Sequence, residues 1–194
     1  IESADDAARA AAAHFLLAAQ PVISVNGNVA ALVPGEVVEL AEATGADIEV
    51  NLFNRTRERM EAIANHLREH GATDVKGLAA DGEIPGLDHA RAKVDADGIG
   101  SADVVLVPLE DGDRAQALAA MGKTEVVIDL NPLSRSAQAA SVPIVDNIIR
   151  AVPNITRHAR DLQDADETEL REIVESFDAD AALEAAERAI RRGE

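Results

Sequence analysis

The stretch 103–129, DVVLVPLEDGDRAQALAAMGKTEVVID, decides the fold. Two continuous apolar runs, Asp103-Val-Val-Leu-Val107 and Glu125-Val-Val-Ile-Asp129, flank a segment over residues 113–121 that reads as a helix. A strand with one wet face alternates apolar and polar residues, whereas a strand buried on both faces reads as an unbroken apolar run. Two such runs joined by a helix form a βαβ unit, with parallel strands and a crossover packed on the sheet.

The same alternation extends in both directions. Ser3, Asp5 and Asp6 open a helix that continues over residues 7–19, and Pro21 stops it and begins a short buried strand through Asn26. Gly27-Asn28 reads as a turn, and a helix over 34–43 ends at Gly45. A strand over 48–52 and a helix over 56–70 follow, with a weaker strand candidate at 74–78. Residues 81–101, with four Gly and a Pro, read as an excursion from the core. After Asp129 come a helical turn at 134–140, a last strand at 142–145 and a helix over 147–162. This pattern predicts an α/β fold, doubly wound, with a mostly parallel sheet and helices on both faces.

Residues 164–194 differ in kind and read as two charged helices, split near Ser176-Phe177-Asp178. Leu170, Ile173, Val174 and Phe177 form one apolar stripe, and Ala182, Leu183, Ala186 and Ile190 another. Such stripes serve either a partner or the chain's own core, and a cap on the same subunit is the expectation. The chain therefore divides into an α/β domain over 1–163 and an acidic helical extension over 164–194.

Composition bounds the partners. The chain has 194 residues, 36 acidic against 18 basic, and a net charge of −18. That charge opposes nucleic acid and anionic membrane, whose phosphates it repels. There is no Cys, so disulfides, thiolate metal sites and thiol nucleophiles are excluded. Lys stands only at 76, 93 and 123, and aromatic residues make up 2% of the chain. An acidic surface over a core poor in aromatics suits high salt, where screening lets carboxylates sit close together. No stretch has the ~18 apolar residues of a membrane span, and a cytoplasmic location is expected.

Ligands of open α/β sheets bind at the carboxyl ends of the strands. Four such ends leave apolar strand for small polar residues: Asn26-Gly27-Asn28, Asn51-Leu-Phe-Asn-Arg55, Pro108-Leu-Glu-Asp-Gly-Asp-Arg114, and Asp129-Leu-Asn-Pro-Leu-Ser-Arg-Ser136. Asn, Asp and Gly are also ordinary turn formers, but repeated with Arg they describe an edge for anions. Asn131, Ser134, Arg135 and Ser136 offer amide, hydroxyl and guanidinium donors suited to phosphate oxygens. Glu110, Asp111 and Asp113 can hold Mg2+ beside a triphosphate, or equally form the acidic first turn of a helix. Neither a Walker A loop nor a Gly-x-Gly-x-x-Gly fingerprint is present. His66 and His70 share a helix face, and an exposed amphipathic pair is the simpler account of them.

Several runs are more specific than this. Residues 21–28, 48–53 with Arg55-Thr56, and 83–94 resemble the archaeal phosphopantothenate synthetase family, as do 101–114, Met121-Gly-Lys123, 129–135 and 144–148. The resemblance spans about residues 8–157, and residues beyond Leu162 look like a lineage-specific extension. It implies a Rossmann-like homodimer, a ligase that uses ATP and Mg2+ to join 4-phosphopantoate to β-alanine. The products implied are 4′-phosphopantothenate, AMP and pyrophosphate, by way of an acyl adenylate.

Carried over by position, the resemblance places ATP on Asp129, Leu130, Asn131, Arg135, Ser136, Asn147 and Ile148. The position of Ser136 is often Thr in the family. The chemistry of the residues themselves suggests Asn26, Asn28 and Arg55 for phosphopantoate, and no catalytic residue is assigned. The family also carries an N-terminal segment, with His-Pro-Arg-Tyr and His-Gly-Arg-Gly-Glu sequences, whose arginines help to hold ATP; this chain is expected to start just after it, as either a fragment or a shortened member. Two other readings compete: an NADP-dependent oxidoreductase, resting on Asn54-Arg55-Thr56, and a non-catalytic remnant that keeps the nucleotide edge.

Overall fold

A computed structural model describes residues 1–109 and 112–193. Its elements run α1 (Glu2–Leu17), β1 (Pro21–Val25), α2 (Gly27–Leu32), α3 (Pro34–Thr44), β2 (Asp47–Val50) and α4 (Arg57–Glu69), then the short strands β3 (Gly82–Glu83) and β4 (Lys93–Val94). The second half contains β5 (Val104–Pro108), α5 (Gly112–Ala120), β6 (Thr124–Asp129), α6 (Arg135–Ala139), β7 (Val142–Val145), α7 (Ile148–Asp161), α8 (Glu167–Ser176) and α9 (Ala179–Arg192).

Five strands form one sheet in the order β2-β1-β5-β6-β7, and every neighbouring pair is parallel. The expected Rossmann-like α/β architecture is therefore present. One face of the sheet packs Ile23, Val25, Leu106 and Ile128 against α1, α3 and α7. The other packs Val22, Val105, Val107 and Val127 against Leu118 of α5 and against Ile84, Val94 and Ile99. The stretch expected as an excursion is thus a working cover for one face. It is built around the antiparallel pair β3–β4 rather than a helix.

A buried carboxylate pins that cover down. Glu49 is fully buried on β2 and accepts hydrogen bonds from the Asp95 N–H (3.0 Å) and the Ile99 N–H (2.6 Å). Asp95 in turn accepts from the N–H groups of Gly77 and Ala80. A Cβ at Gly98 would lie 2.1 Å from Glu49 Oε2, so any side chain there displaces the carboxylate from these bonds.

Two local departures from the sequence reading have physical causes. Gly27-Asn28 is the first turn of α2 rather than a simple turn, since the Asn26 side chain caps the N–H groups of Asn28 and Val29. The strand candidate at 74–78 is reduced to a single bridge between Glu49 and Lys76. Gly77, at φ +98°, turns the chain away, and its Cα lies too close to the Val50 carbonyl to carry a side chain.

The two tail helices form where expected. Leu170 and Ile173 join the main core, with Val174 and Phe177 packed against it. α8 and α9 both lie on α1 of the same chain, so the first stripe caps the chain's own core; of the second, Ala186 is buried but Ile190 is exposed.

Candidate active site

Because all five sheet strands are parallel, their carboxyl ends share one edge. The chain leaves β1 for β2 on one side and later returns to β5 on the other, so the switch in winding direction falls between β1 and β5. Ligand crevices open at such a point. Here Asn26 spans it. Its Nδ2 donates to the carbonyl of Pro108 (3.1 Å) and, at longer range, to that of Leu109 (3.4 Å). Its Oδ1 accepts from the N–H groups of Asn28 and Val29, both at 3.0 Å. Leu109, at φ +54°, sits in the left-handed region that a branched residue enters at a cost of roughly 1–3 kcal/mol. The backbone there is bent sharply as it leaves β5.

The turn after β6 is an ordered polar loop. Asp129 accepts from the Asn131 N–H (3.0 Å) and the Ser134 hydroxyl (2.6 Å), and the Asn131 side chain accepts from the Leu133 N–H (3.0 Å). Ser134 also caps α6 by accepting from the Ala137 N–H. Arg135 follows with an exposed guanidinium, which donates to Asp113 Oδ1 at 2.6 Å. It packs so tightly over the start of α5 that a Cβ on Gly112 would come within 2.5 Å of Arg135 Cβ. At the end of β7, Asn147 caps α7 by accepting from the Ile149 N–H.

Asp129, Leu130, Asn131 and Arg135 are therefore gathered at the β6 exit. Asn147 and Ile148 follow the exit of the neighbouring strand, at the start of α7. Leu130 is exposed, whereas the side chains of Ser136 and Ile148 are buried, so Ile148 can meet a ligand only through its backbone. A guanidinium and an amide beside exposed Leu130, Leu133 and Ile149 suit a nucleotide, whose phosphates need donors and whose base needs apolar cover.

The metal carboxylates are placed differently. Asp113 is engaged by Arg135, while Glu110 and Asp111 lie outside the described residues. Among the described residues, no three His, Asp or Glu side chains are grouped so as to hold a metal ion.

The β2 exit forms a second region. Thr56 caps α4 by accepting from the Arg59 N–H (3.3 Å). The Arg59 side chain folds back, with Nη1 donating to the Asn54 carbonyl (2.7 Å) and Nη2 standing 3.8 Å from where a Cβ on Gly27 would be. Arg55 donates from Nη2 to the Gly77 carbonyl. Asn51, buried, donates to the carbonyls of Arg91 and Lys93 (3.2 and 3.0 Å) and so ties β4 to the end of β2. Sequence reasoning selected Arg55 but not Arg59 or Lys93. The position of Arg59, one helical turn after Arg55, was a signal for the first; nothing local in the sequence marks the second.

The buried face also holds Arg114, which donates to the Ser24 hydroxyl (3.1 Å), and Glu125, fully buried on β6. Among the described residues neither carboxylate oxygen of Glu125 has a hydrogen-bond partner. Burial raises its pKa to about 8, opposed by the Arg114 charge. Burial likewise raises Glu49 to about 7, against the two N–H groups it accepts from.

A Rossmann-like sheet, a clasped switch point and polar donors on the adjoining strand exits define an α/β protein whose strand exits are suited to anionic ligands. The family model for phosphopantothenate/pantothenate synthetase matches residues 3–193, and the chain belongs to that family. It is similar to the 4-phosphopantoate–β-alanine ligase of Thermococcus kodakarensis, with 56% identity over 92% of this chain and 69% of that protein. A protein of the same name from Methanosarcina mazei is 50% identical over 95% of this chain and 73% of its own length. The family match runs through the tail helices, so residues beyond Leu162 are part of the family's sequence rather than a lineage-specific addition. The oxidoreductase reading of Asn54-Arg55-Thr56 is not favoured by these relatives.

Proposed function

We propose that this chain is an ATP-dependent ligase that condenses 4-phosphopantoate with β-alanine to give 4′-phosphopantothenate, AMP and pyrophosphate. The observation that carries the reading is the 50–56% identity to proteins named 4-phosphopantoate–β-alanine ligase. The donors clustered at the exits of β6 and β7 support it. ATP lies along Asp129, Leu130, Asn131 and Arg135, with Ser136, Asn147 and Ile148 behind. Arg135 faces its phosphates, and Asp129 with Asn131 holds the loop in shape. Asn28 and Arg55 meet the phosphopantoate, and Asn26 fixes the spacing between them and the β5 exit.

A carboxylate oxygen of the acid attacks the α-phosphorus of ATP, the bond to the bridging oxygen breaks, and pyrophosphate leaves. The β-alanine nitrogen then attacks the acyl carbon, AMP departs with the bonding pair, and the amine loses its proton. The strand exits offer Asn, Ser and Arg donors to an adenylate, whereas transfer of the γ-phosphoryl group commonly relies on a Walker-type Lys that this sequence lacks. Mg2+ accompanies the nucleotide and offsets the charge of its phosphates. The family resemblance supports a homodimer, and a biosynthetic role is consistent with work in the cytoplasm. Among the described residues no helix is long and apolar enough to cross a membrane.

Ligand-dependent thermal stability tests this reading against the oxidoreductase alternative. ATP raises the melting temperature and NADPH does not; protection by NADPH alone contradicts the proposal.

A further inference from the structure

The sheet face that packs against α5 carries charge as well as apolar side chains. Ser24 on β1, Glu49 on β2, Glu125 on β6 and Arg114 in the first turn of α5 are all buried, the last three completely. The strand register fixes their order. Ser24 is paired with Glu49, while Glu125 is level with Val105 and, beyond it, with Val22, two residues before Ser24. Val22 and Ser24 share a face. The Ser24 and Glu125 positions therefore lie on one side of the sheet, roughly 10 Å apart across two strand spacings and about 7 Å apart along the strands.

Arg114 spans that gap from above. Its Nη2 donates to Ser24 Oγ at 3.1 Å, and its charge favours the ionised form of both Glu49 and Glu125. The two carboxylates are held differently. Glu49 accepts from the N–H groups of Asp95 and Ile99, whereas Glu125 has no such donors among the described residues. A buried carboxylate without donors keeps its proton, and once ionised it requires a cation or a donor. Among the described residues Arg114 is the charged group that faces Glu125, and Arg114 and Asp95 are those that face Glu49. Lys123, on the loop before β6, is committed to the carbonyls of Gly100 and Ala102.

The first turn of α5 is also the seat of Arg135. Asp113 accepts from the Arg135 guanidinium, and a Cβ on Gly112 would meet Arg135 Cβ at 2.5 Å. Whatever moves Arg114 moves the surface on which Arg135 rests.

We propose that Arg114 is a positioning residue for Arg135, and that loss of the Glu125 proton releases it. While Glu125 is neutral, Arg114 stays on Ser24 and the first turn of α5 is seated. When the proton leaves to solvent, the guanidinium is drawn toward β6 and the turn shifts with it. This rests on the placement of ATP at the β6 exit in the reading above. Nucleotide affinity then falls as pH rises through about 8, where Glu125 ionises.

Calorimetric titration with ATP from pH 7.5 to 9, above the range in which the phosphates themselves titrate, tests this on wild type, Glu125→Gln and Ser24→Ala. Wild type loses at least threefold in affinity across that span. Glu125→Gln, close in shape to the protonated acid, matches wild type at pH 7.5 and keeps that affinity at pH 9. Ser24→Ala frees the guanidinium from β1 and shows the weaker binding already at pH 7.5. A purely structural Glu125 alters the melting temperature but leaves the ATP profile of Glu125→Gln like that of wild type, and that result overturns the proposal. So does a flat wild-type profile, or wild-type affinity in Ser24→Ala at both ends of the range. These results leave the ligase reading standing. Absence of ATP binding to wild type at every pH contradicts the ligase reading, and the proposal falls with it.

Discussion

Asn26 donates from its side-chain amide to the carbonyl of Pro108 at 3.1 Å, across 82 residues of sequence, and joins the exits of the two central strands. The same amide caps α2 through its oxygen. One buried side chain therefore sets both the width of the switch crevice and the start of the helix beside it. Its replacement has to disturb both.

Asn26→Ala removes a helix cap, worth about 1 kcal/mol, and leaves the Pro108 carbonyl without its donor, at about 1–3 kcal/mol. A loss of about 2–4 kcal/mol in urea unfolding is expected. A change below about 0.5 kcal/mol for the alanine variant contradicts the clasp.

Arg135→Ala removes an exposed guanidinium whose contact with Asp113 is worth little to stability, since both side chains are mostly in solvent. ATP affinity falls tenfold or more, as expected for the loss of a charge-assisted contact, while the melting temperature without ligand stays within a degree or two. Unchanged ATP binding contradicts the placement of the nucleotide at the β6 exit.

The buried carboxylates set a pH dependence. In the folded chain Glu49 and Glu125 hold their protons to about pH 7 and about pH 8, whereas the unfolded chain releases them near the ordinary carboxylate value. Unfolding therefore releases protons within that window, and rising pH favours the unfolded state. The contribution is complete below about pH 4 and is lost as pH climbs through about 7 and 8. Each group costs up to about 1.4 kcal/mol per pH unit. Stability measured from pH 5 to 9 falls with pH, and Glu125→Gln flattens the upper part of the decline. A profile identical to wild type contradicts a buried, proton-bearing Glu125.

Net charge sets a salt dependence. With −18 on one chain, self-repulsion weakens as the Debye length shrinks from about 10 Å at 0.1 M to about 3 Å at 1 M. The melting temperature rises on going from 0.1 M to molar KCl. A flat or falling curve contradicts a surface adapted to high salt.

The central strands were legible because an unbroken run such as Val104 to Val107 needs no periodicity to be recognised. The helix over 27–32 was not. Asn-Gly is a turn signal and also a cap followed by a first helical residue, and only the long-range bond from Asn26 decides between them. The strand exits were legible as chemistry, since apolar runs give way there to Asn, Asp, Ser and Arg. The approach of β4 to the β2 exit was not, because it depends on the long-range hydrogen bonds from Asn51 to the carbonyls of Arg91 and Lys93. Glu49 and Glu125 look like ordinary polar strand positions. Their burial depends on a cover that arrives about fifty residues later in one case and on Arg114 and its neighbours in the other.

Analysis of the products decides whether an AMP-forming condensation takes place at the clasped switch point. Given ATP, 4-phosphopantoate and β-alanine, the protein forms AMP and pyrophosphate in a one-to-one ratio with 4′-phosphopantothenate. ADP and inorganic phosphate as the stoichiometric products contradict it.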